Sequence, residues 1–275
     1  MPPEVDLMIV NKYLMPVVSM LCAMLLPVPH QASAATDGET SVILGAEYSS
    51  GDYGTSSKTK IWYFPVTLRY ETDANAASVT VSYLSVEGRG DVVVTGGGMG
   101  MGSQTVKRTS TVNGTRTDSG FGDVILTGSH KLSGTAASRI DLTGKIKLGT
   151  ADETDNLGTG ENDYAVQLDF EKGHNSNSMF GTAGYKIFGD PPGTDYKNVL
   201  YGSIGFSHKL DAARAAGLAF DAQQAALSGG SGQSEITLFL NNKLDKKTRL
   251  TGYVVKGLAN GSPDWGLGVT LKLTQ

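Results

Sequence analysis

The segment Arg139–Leu148, RIDLTGKIKL, alternates apolar and polar side chains with a period of two. One face carries Ile140, Leu142, Ile146 and Leu148, and the other carries Asp141, Thr143, Lys145 and Lys147. This period is the signature of a β-strand, because successive side chains of a strand point to opposite faces. A strand that is apolar on one face and charged on the other is typical of a wall between lipid and water.

The same alternation recurs along most of the chain after Gly38. It predicts about twelve strands, most of them about ten residues long, which is the length of a tilted membrane-spanning strand. The predicted strands cover residues 41–50, 60–71, 78–87, 119–132, 139–149, 162–171, 178–189, 198–210, 214–225, 234–244, 248–257 and 264–274.

The connections between these strands alternate in length. Short ones such as TDANAA, KGHNSN and DKK separate long ones that are rich in glycine, aspartate and threonine. A membrane barrel has short periplasmic turns and longer external loops, and its closure removes every exposed strand edge. The sequence therefore predicts an all-β protein, a transmembrane antiparallel up-and-down β-barrel. A soluble sandwich also alternates, but the charge density of the polar face favours a water-filled lumen.

The N-terminal segment differs from the rest of the chain. An apolar run, Tyr13–Val28, follows Lys12 and precedes the small-residue stretch Gln31–Ala34. This order is typical of a secretory signal peptide, and the run is short of the ~20 apolar residues that span a bilayer. We therefore predict a cleaved signal peptide at residues 1–34 and an outer-membrane barrel at residues 35–275. A retained membrane anchor is the alternative.

The only cysteine, Cys22, lies inside the predicted signal peptide. Its removal leaves a mature chain without disulfides, thiol catalysis or cysteine-ligated metals. An exported, cysteine-free, glycine-rich chain indicates the Gram-negative envelope, and a barrel places it in the outer membrane. The small net charge of −4 gives no indication of nucleic-acid binding.

Two sets of side chains follow from the predicted strands. An aromatic girdle is expected at the external ends of the strands, where interfacial aromatics belong; it comprises Tyr48, Trp62, Tyr164 and Trp265. Charges that tune solute passage are expected on the inward face; they are Glu47, Arg69, Asp123, Asp141, Lys145, Lys147, Asp169, Lys186, Asp221, Glu235 and Arg249. Alternatively, these charges pair across the lumen and fill it.

A glycine-rich run, Val92–Gln104, lies within the long connection 88–117. It lacks the G-x-G-x-x-G register, a closing Lys-Ser or Lys-Thr and a following helix, so it is not a nucleotide loop. Two interpretations remain open: a mobile external loop, or a loop that folds inward and narrows the pore.

No catalytic, cofactor or metal site is predicted. The acidic stretch Gly149–Tyr164 offers oxygen ligands but lacks the EF-hand register, and it is interpreted as a solvated loop. Ser129 and His130 resemble half of a catalytic cluster, yet strand periodicity puts them on opposite faces. His174 and His208 are expected, like His130, near periplasmic turns.

Three segments carry a family resemblance: GFGDVILTGSHKL at Gly120–Leu132, LGTGENDYAVQLDF at Leu157–Phe170 and YKIFGDPPG at Tyr185–Gly193. Together they resemble the outer-membrane family named for the MetA pathway of phenol degradation, whose members are described as transporters. The resemblance runs from about residue 39 to the C-terminus. It implies a barrel of twelve or a similar number of strands and uptake of small organic compounds, aromatic ones among them. It implies no catalytic residues.

The leading hypothesis is thus a passive outer-membrane pore or transporter for small organic solutes, without enzymatic activity. Its expected partners are outer-membrane lipid and a small-molecule solute. A non-transporting structural or surface-binding barrel is the alternative, and a barrel enzyme that acts on lipids comes third.

Overall fold

The structure, a computed structural model, describes residues 38–98, 101–107, 114–135 and 137–275. The predicted signal peptide lies outside the described residues. The chain forms fifteen strands within these ranges, and they are β1 (Glu39–Gly51), β2 (Thr59–Glu71), β3 (Asn75–Gly88), β4 (Val92–Gly98), β5 (Met101–Lys107), β6 (Arg116–Phe121), β7 (Val124–Thr135), β8 (Ser138–Leu148), β9 (Asp163–His174), β10 (Asn177–Ile187), β11 (Val199–Lys209), β12 (Arg214–Gln223), β13 (Gln233–Lys243), β14 (Thr248–Gly257) and β15 (Trp265–Thr274).

The main sheet closes into a barrel of 12 antiparallel wall positions. Consecutive strands pair from β1 to β3 and from β7 to β15, β3 pairs with β7, and β1 pairs with β15 to seal the ring. One wall position is shared, because β6 pairs with the upper half of β3 and β7 pairs with its lower half. The break between them falls at Gly122 and Asp123. The predicted all-β up-and-down barrel is confirmed, with one predicted strand, 119–132, split in two.

Long and short connections alternate around the ring, so the barrel has a long-loop end and a short-turn end. The long connections are 52–58, 89–115, 149–162, 188–198, 224–232 and 258–264. Between them, pairs of strands are joined by the short turns 72–74, 136–137, 175–176, 210–213 and 244–247. The described part of the chain contains no helix that is long and apolar enough to cross a bilayer.

The outer wall exposes large apolar side chains along nearly every strand. Val166 and Leu168, for example, are 50% and 47% exposed on β9. An apolar surface this extensive is unfavourable in water and matches the lipid-facing band of a membrane barrel. At its long-loop edge the ring of Tyr48 lies 4.9 Å from that of Trp62 and 5.3 Å from that of Trp265.

Two short turns share one hydrogen-bonding pattern, as the repeated KLD sequence suggests. Asp211 Oδ1 accepts from the backbone N–H groups of Ala213 and Arg214, each at 2.8 Å. Asp245 Oδ1 accepts from the backbone N–H groups of Lys247 and Thr248, at 2.7 and 2.9 Å. An aspartate that caps its own turn in this way favours the hairpin locally. The Arg214 guanidinium and the backbone donors lower the pKa of Asp211.

Candidate functional site

The barrel interior holds a cavity of about 400 Å³, within the size range of small-molecule sites. Most of the residues that line it have polar side chains, and they include five of the predicted lumen charges, namely Glu47, Arg69, Asp141, Lys145 and Asp169. Strand periodicity explains this placement, since each of these side chains lies on the face opposite the exposed apolar residues.

One wall of the cavity is a hydrogen-bonded network around Asp169. Its carboxylate accepts from the hydroxyls of Thr143 and Thr182, at 2.7 and 2.6 Å, and from the Gln167 amide at 2.6 Å. The Gln167 amide oxygen in turn accepts from the Tyr201 hydroxyl at 2.7 Å. These three neutral donors stabilise the charged form of Asp169, so the hydrogen-bonding capacity of its carboxylate is met without a solute.

Lys145 differs from the carboxylates around it. It lines the cavity between Thr127 on β7 and Ala165 on β9, its partners in register. Among the residues that the structure describes, it forms no ion pair. Lys145 is therefore a cation that the cavity presents to water or to a solute.

The short-turn end of the interior carries a chain of ion pairs. Arg69 Nε lies 3.0 Å from a Glu71 oxygen, and Arg139 Nη1 lies 3.5 Å from the other. Arg139 Nε also contacts Asp141 at 2.7 Å. These groups are partly exposed, so each pair contributes little to stability. Arg249 lies exposed at the same end.

Near the long-loop end, Lys147 forms a buried ionic hub. Its Nζ lies 3.0 Å from Asp123 and 3.5 Å from Asp163, and all three side chains are at most 5% exposed. Thr159 Oγ1 accepts a further bond from Nζ at 2.9 Å. The ammonium of Lys186 approaches the same Asp163 oxygen at 3.6 Å. The hub therefore joins residues of β8, β9 and β10 to Asp123, which lies between β6 and β7.

The hub brings together two glycine motifs of the sequence, GFGD at Gly120–Asp123 and GTGENDY at Gly158–Tyr164. Asp123 ends GFGD, and Thr159 and Asp163 belong to GTGENDY. The Asp123 carboxylate also accepts from the backbone N–H of Ala151 at 2.9 Å, which fastens the long connection 149–162 to the wall. Asp123 and Asp163 are thus neutralised by lysine rather than presented to a solute.

The glycines of GFGD are required by close packing. A Cβ on Gly122 would lie 2.4 Å from Ser82 Oγ, and a Cβ on Gly120 would lie 2.7 Å from Leu157 Cδ1. Real Cβ atoms do not approach other atoms so closely, so a side chain at either position forces its neighbours to move. Leu157 can therefore pack onto the strand only because residue 120 is glycine.

The strand β4 crosses the interior at the long-loop end. Val92 and Val94 are buried in an apolar cluster centred on β2 and β3, with Tyr53, Ile61, Tyr63, Leu84, Val86, Ala151 and Leu157. Val93 is buried in a second cluster, with Phe188, Tyr196, Val199, Ala226 and Leu227. The second cluster combines residues of the connections 188–198 and 224–232 with Val199, which begins β11, and β11 stands opposite β2 in the ring. Burial also raises the pKa of the Tyr53 phenol.

Because its side chains alternate between two opposite walls, β4 obstructs the mouth of the barrel. Residues 92–94 thus follow the inward-folding interpretation of connection 88–117. Residues 99–100 and 108–113 of the same connection lie outside the described residues.

Three of the predicted charges, Glu47, Asp221 and Glu235, lie on β1, β12 and β13. Glu47 accepts a hydrogen bond from the Tyr253 hydroxyl at 2.6 Å. Asp221 on β12 stands directly opposite Glu235 on β13. Ion pairs between lysine and aspartate thus lie at β8–β10, whereas β12 and β13 carry two facing carboxylates that form no ion pair with lysine or arginine among the described residues.

The apparent catalytic cluster is not assembled. Ser129 Oγ pairs with Thr143 Oγ1 inside the barrel at 2.9 Å, whereas His130 Nδ1 pairs with Asn75 Oδ1 on the outside at 2.8 Å. His208 repeats this second pairing with Asn177, also at 2.8 Å. Both histidines therefore lie outside the barrel, next to asparagine at the short-turn end.

In the acidic connection, Asp152 makes a local turn. Its Oδ1 accepts from the hydroxyl and the backbone N–H of Thr154, at 2.6 and 2.8 Å. These bonds lower the pKa of the Asp152 carboxyl.

Sequence reasoning missed the neutral groups of the interior and the obstruction. The donors Thr143, Gln167 and Thr182 stand at alternate strand positions, which marks them as inward-facing but not as partners of Asp169. The run Val92–Val94 was a weak signal, because three β-branched residues in a row favour a short buried strand.

Comparison with known proteins bears on the family and the fold. A family model described as "Putative MetA-pathway of phenol degradation" matches residues 32–270, which confirms the resemblance of the glycine motifs. No curated protein matches the chain.

Solved structures show the same fold. The chain is similar to an outer membrane channel from Pseudomonas putida F1, with a TM-score of 0.64 and 14% identity over 91% of this chain and 100% of that one. It is also similar to the KdgM porin in complex with disordered oligogalacturonate, with a TM-score of 0.53 and 8% identity over 85% and 98% of the two chains. At these identities the likeness establishes the barrel architecture.

Proposed function

The chain belongs to the phenol-degradation MetA-pathway family, and on this premise we propose that it is a passive outer-membrane pore for small organic solutes. The long-loop end faces the outside of the cell, and the short-turn end faces the periplasm. The observation that carries the proposal is the cavity of about 400 Å³, which polar and charged residues line and a wall with an apolar outer face encloses. A polar interior inside an apolar wall allows solutes to cross lipid without being dissolved in it.

Size and charge define the solutes that fit. A cavity of this volume accepts molecules of the size of a substituted phenol or a small carboxylic acid. Asp169 is saturated by neutral donors, whereas Lys145 has no ion pair within the described residues. Lys145 therefore gives this level of the lumen a cation to which the anionic group of an organic acid can bind.

The first experiment measures single-channel conductance and solute flux for the refolded protein in lipid vesicles. Wild type should pass small aromatic acids and alcohols, with a steep loss of flux as solute size increases. Val93→Asp puts a charge into the apolar contact that holds β4 across the mouth, and it should raise conductance. If neither wild type nor Val93→Asp conducts, the protein is not a pore.

A second experiment tests the charge preference. Lys145→Met should shift the reversal potential in a salt gradient toward cation selectivity, because it removes the free ammonium from the cavity. The matched control is Lys172→Met on β9, which removes an exposed lysine on the outer face near the short-turn end. An equal shift in both variants would show that net charge, not the lumen position, sets selectivity.

A non-transporting structural barrel is the second candidate. It is favoured by the buried hub of Lys147 and by the valines of β4, since both fill the long-loop end. The two candidates predict opposite results in the conductance measurement on Val93→Asp.

A further inference from the structure

A second feature of the interior stands apart from the cavity: an acidic pair close beneath the long loop 224–232. Asp221 and Glu235 are direct partners in the register of β12 and β13, and both face the interior. Like charges directly opposite each other destabilise a strand pair unless something neutralises them. Neither carboxylate forms an ion pair with a lysine or arginine among the described residues.

Four buried oxygens at and next to this pair lack hydrogen-bond partners among the described residues, whereas Glu235 has a hydrogen bond with Ser262. Both carboxylate oxygens of Asp221 are buried and unpartnered, and so is the hydroxyl of Ser203, its register partner on β11. Thr237 lies on the inward face of β13, the next inward position after Glu235, and is 0% exposed with an unpartnered Oγ1. Buried polar atoms without partners cost free energy, and an unpaired carboxylate costs most. Four such oxygens on three adjacent strands indicate a missing polar partner, and the two facing carboxylates favour one that is positively charged.

A small cavity lies one inward position away from the pair, toward the long loop. The next inward positions toward the long loop are Gln223 and Gln233, which face each other across β12 and β13. They line a cavity of about 30 Å³, together with Val92 of the obstructing strand. That volume is about the share of one water molecule in the liquid.

We propose that Asp221, Glu235, Ser203 and Thr237 form a cation site that takes a divalent ion of the Ca²⁺ type. The donor set is made of hard oxygens, which Ca²⁺ prefers, and its two carboxylates balance two positive charges. No group of three or more acidic, histidine or cysteine side chains suited to a metal is present in the described ranges, so water completes the coordination. Binding of the ion neutralises Asp221 and Glu235, and it lowers the preference of the barrel mouth for cationic solutes.

Calorimetric titration of CaCl₂ into the protein tests the site. The protein is refolded in phosphatidylcholine vesicles, because anionic lipids would themselves bind calcium. Wild type should bind one Ca²⁺ saturably. Asp221→Asn should abolish binding, Glu235→Gln should weaken it at least tenfold, and Thr237→Val should weaken it several-fold. The control, Asp73→Asn in the exposed turn 72–74, should leave it unchanged.

Thermal unfolding separates binding from misfolding. Calcium should raise the unfolding temperature of wild type and of Asp73→Asn but not that of Asp221→Asn, as linkage requires. The proposal is overturned if Ca²⁺ at millimolar concentration does not bind, or if binding persists in Asp221→Asn. It is also overturned if ethylammonium binds to the wild-type site more tightly than Ca²⁺ does. The titration reports on binding alone, so it is independent of whether the barrel conducts.

Discussion

The ionic hub at Lys147 is the contact whose removal should be most costly. Lys147→Met removes the ammonium and keeps a side chain of similar length. It leaves the carboxylates of Asp123 and Asp163, which are 5% and 2% exposed, without their shared cation. Removing one partner of a buried ion pair costs about 3–5 kcal/mol. Asp123 keeps the backbone N–H of Ala151 and Asp163 keeps the more distant Lys186, so we expect a value at the low end, about 3 kcal/mol.

The assay is urea unfolding of the refolded barrel in lipid vesicles, followed by tryptophan fluorescence. A double-mutant cycle isolates the contact: Asp123→Asn alone, Lys147→Met alone, and both together. Since the two groups are in contact, the double variant should be more stable than the sum of the single losses predicts, by about 1–3 kcal/mol. Lys246→Met, at an exposed lysine in turn 244–247, serves as control and should change stability by less than about 0.5 kcal/mol.

The same variants have a local readout. Because the hub fastens connection 149–162, Lys147→Met should make that connection the first site of limited proteolysis in the intact barrel. A coupling energy of zero, together with an unchanged proteolysis pattern, would refute the interpretation of Lys147 as the group that joins the two glycine motifs.

Three further predictions concern packing, the aromatic girdle and pH. Gly122→Ala should lower stability by about 1–3 kcal/mol in the urea assay, because its Cβ meets Ser82, whereas Gly128→Ala, where a Cβ meets nothing within 4 Å, should not. Tyr48→Ala should lower the free energy of unfolding by about 1–3 kcal/mol, because the ring contacts with Trp62 and Trp265 are lost. A loss of stability smaller than that from replacing an isolated surface tyrosine would count against an aromatic girdle. The backbone N–H of Lys247 and the Thr248 hydroxyl lower the pKa of Asp245, so the turn is stabilised above the usual aspartate pKa and loses that stability as the pH falls through the lower folded value. The unfolding rate of wild type should therefore rise in acid more steeply than that of Asp245→Ala, and parallel pH profiles would exclude this role.

Strand positions and the face of each side chain could be read from the sequence because they are local properties. In RIDLTGKIKL the period of two places Lys145 and Lys147 on the inner face without reference to any other strand. Among the predicted strands of the wall, 119–132 differs from the structure, because it breaks at Gly122–Asp123, where Gly122 packs closely against Ser82.

The contacts of the interior could not be read in the same way. Lys145 and Lys147 look equivalent in sequence, yet Lys147 lies between Asp123 and Asp163 while Lys145 lines the cavity without an ion pair among the described residues. Their difference arises from contacts with distant parts of the chain, because Lys147 reaches Asp123 at the break of the wall and Thr159 in connection 149–162.

The sequence by itself therefore determined the all-β barrel, its lipid-facing surface and the family. An alternating pattern specifies the two faces of a strand, and closure follows because no strand edge can remain open in lipid. Only the tertiary structure decided which charges neutralise each other, which remain open to a solute, and that β4 crosses the mouth. Those outcomes depend on the register between strands and on the packing of Val92–Val94 against opposite walls, and both join residues that are far apart in the chain.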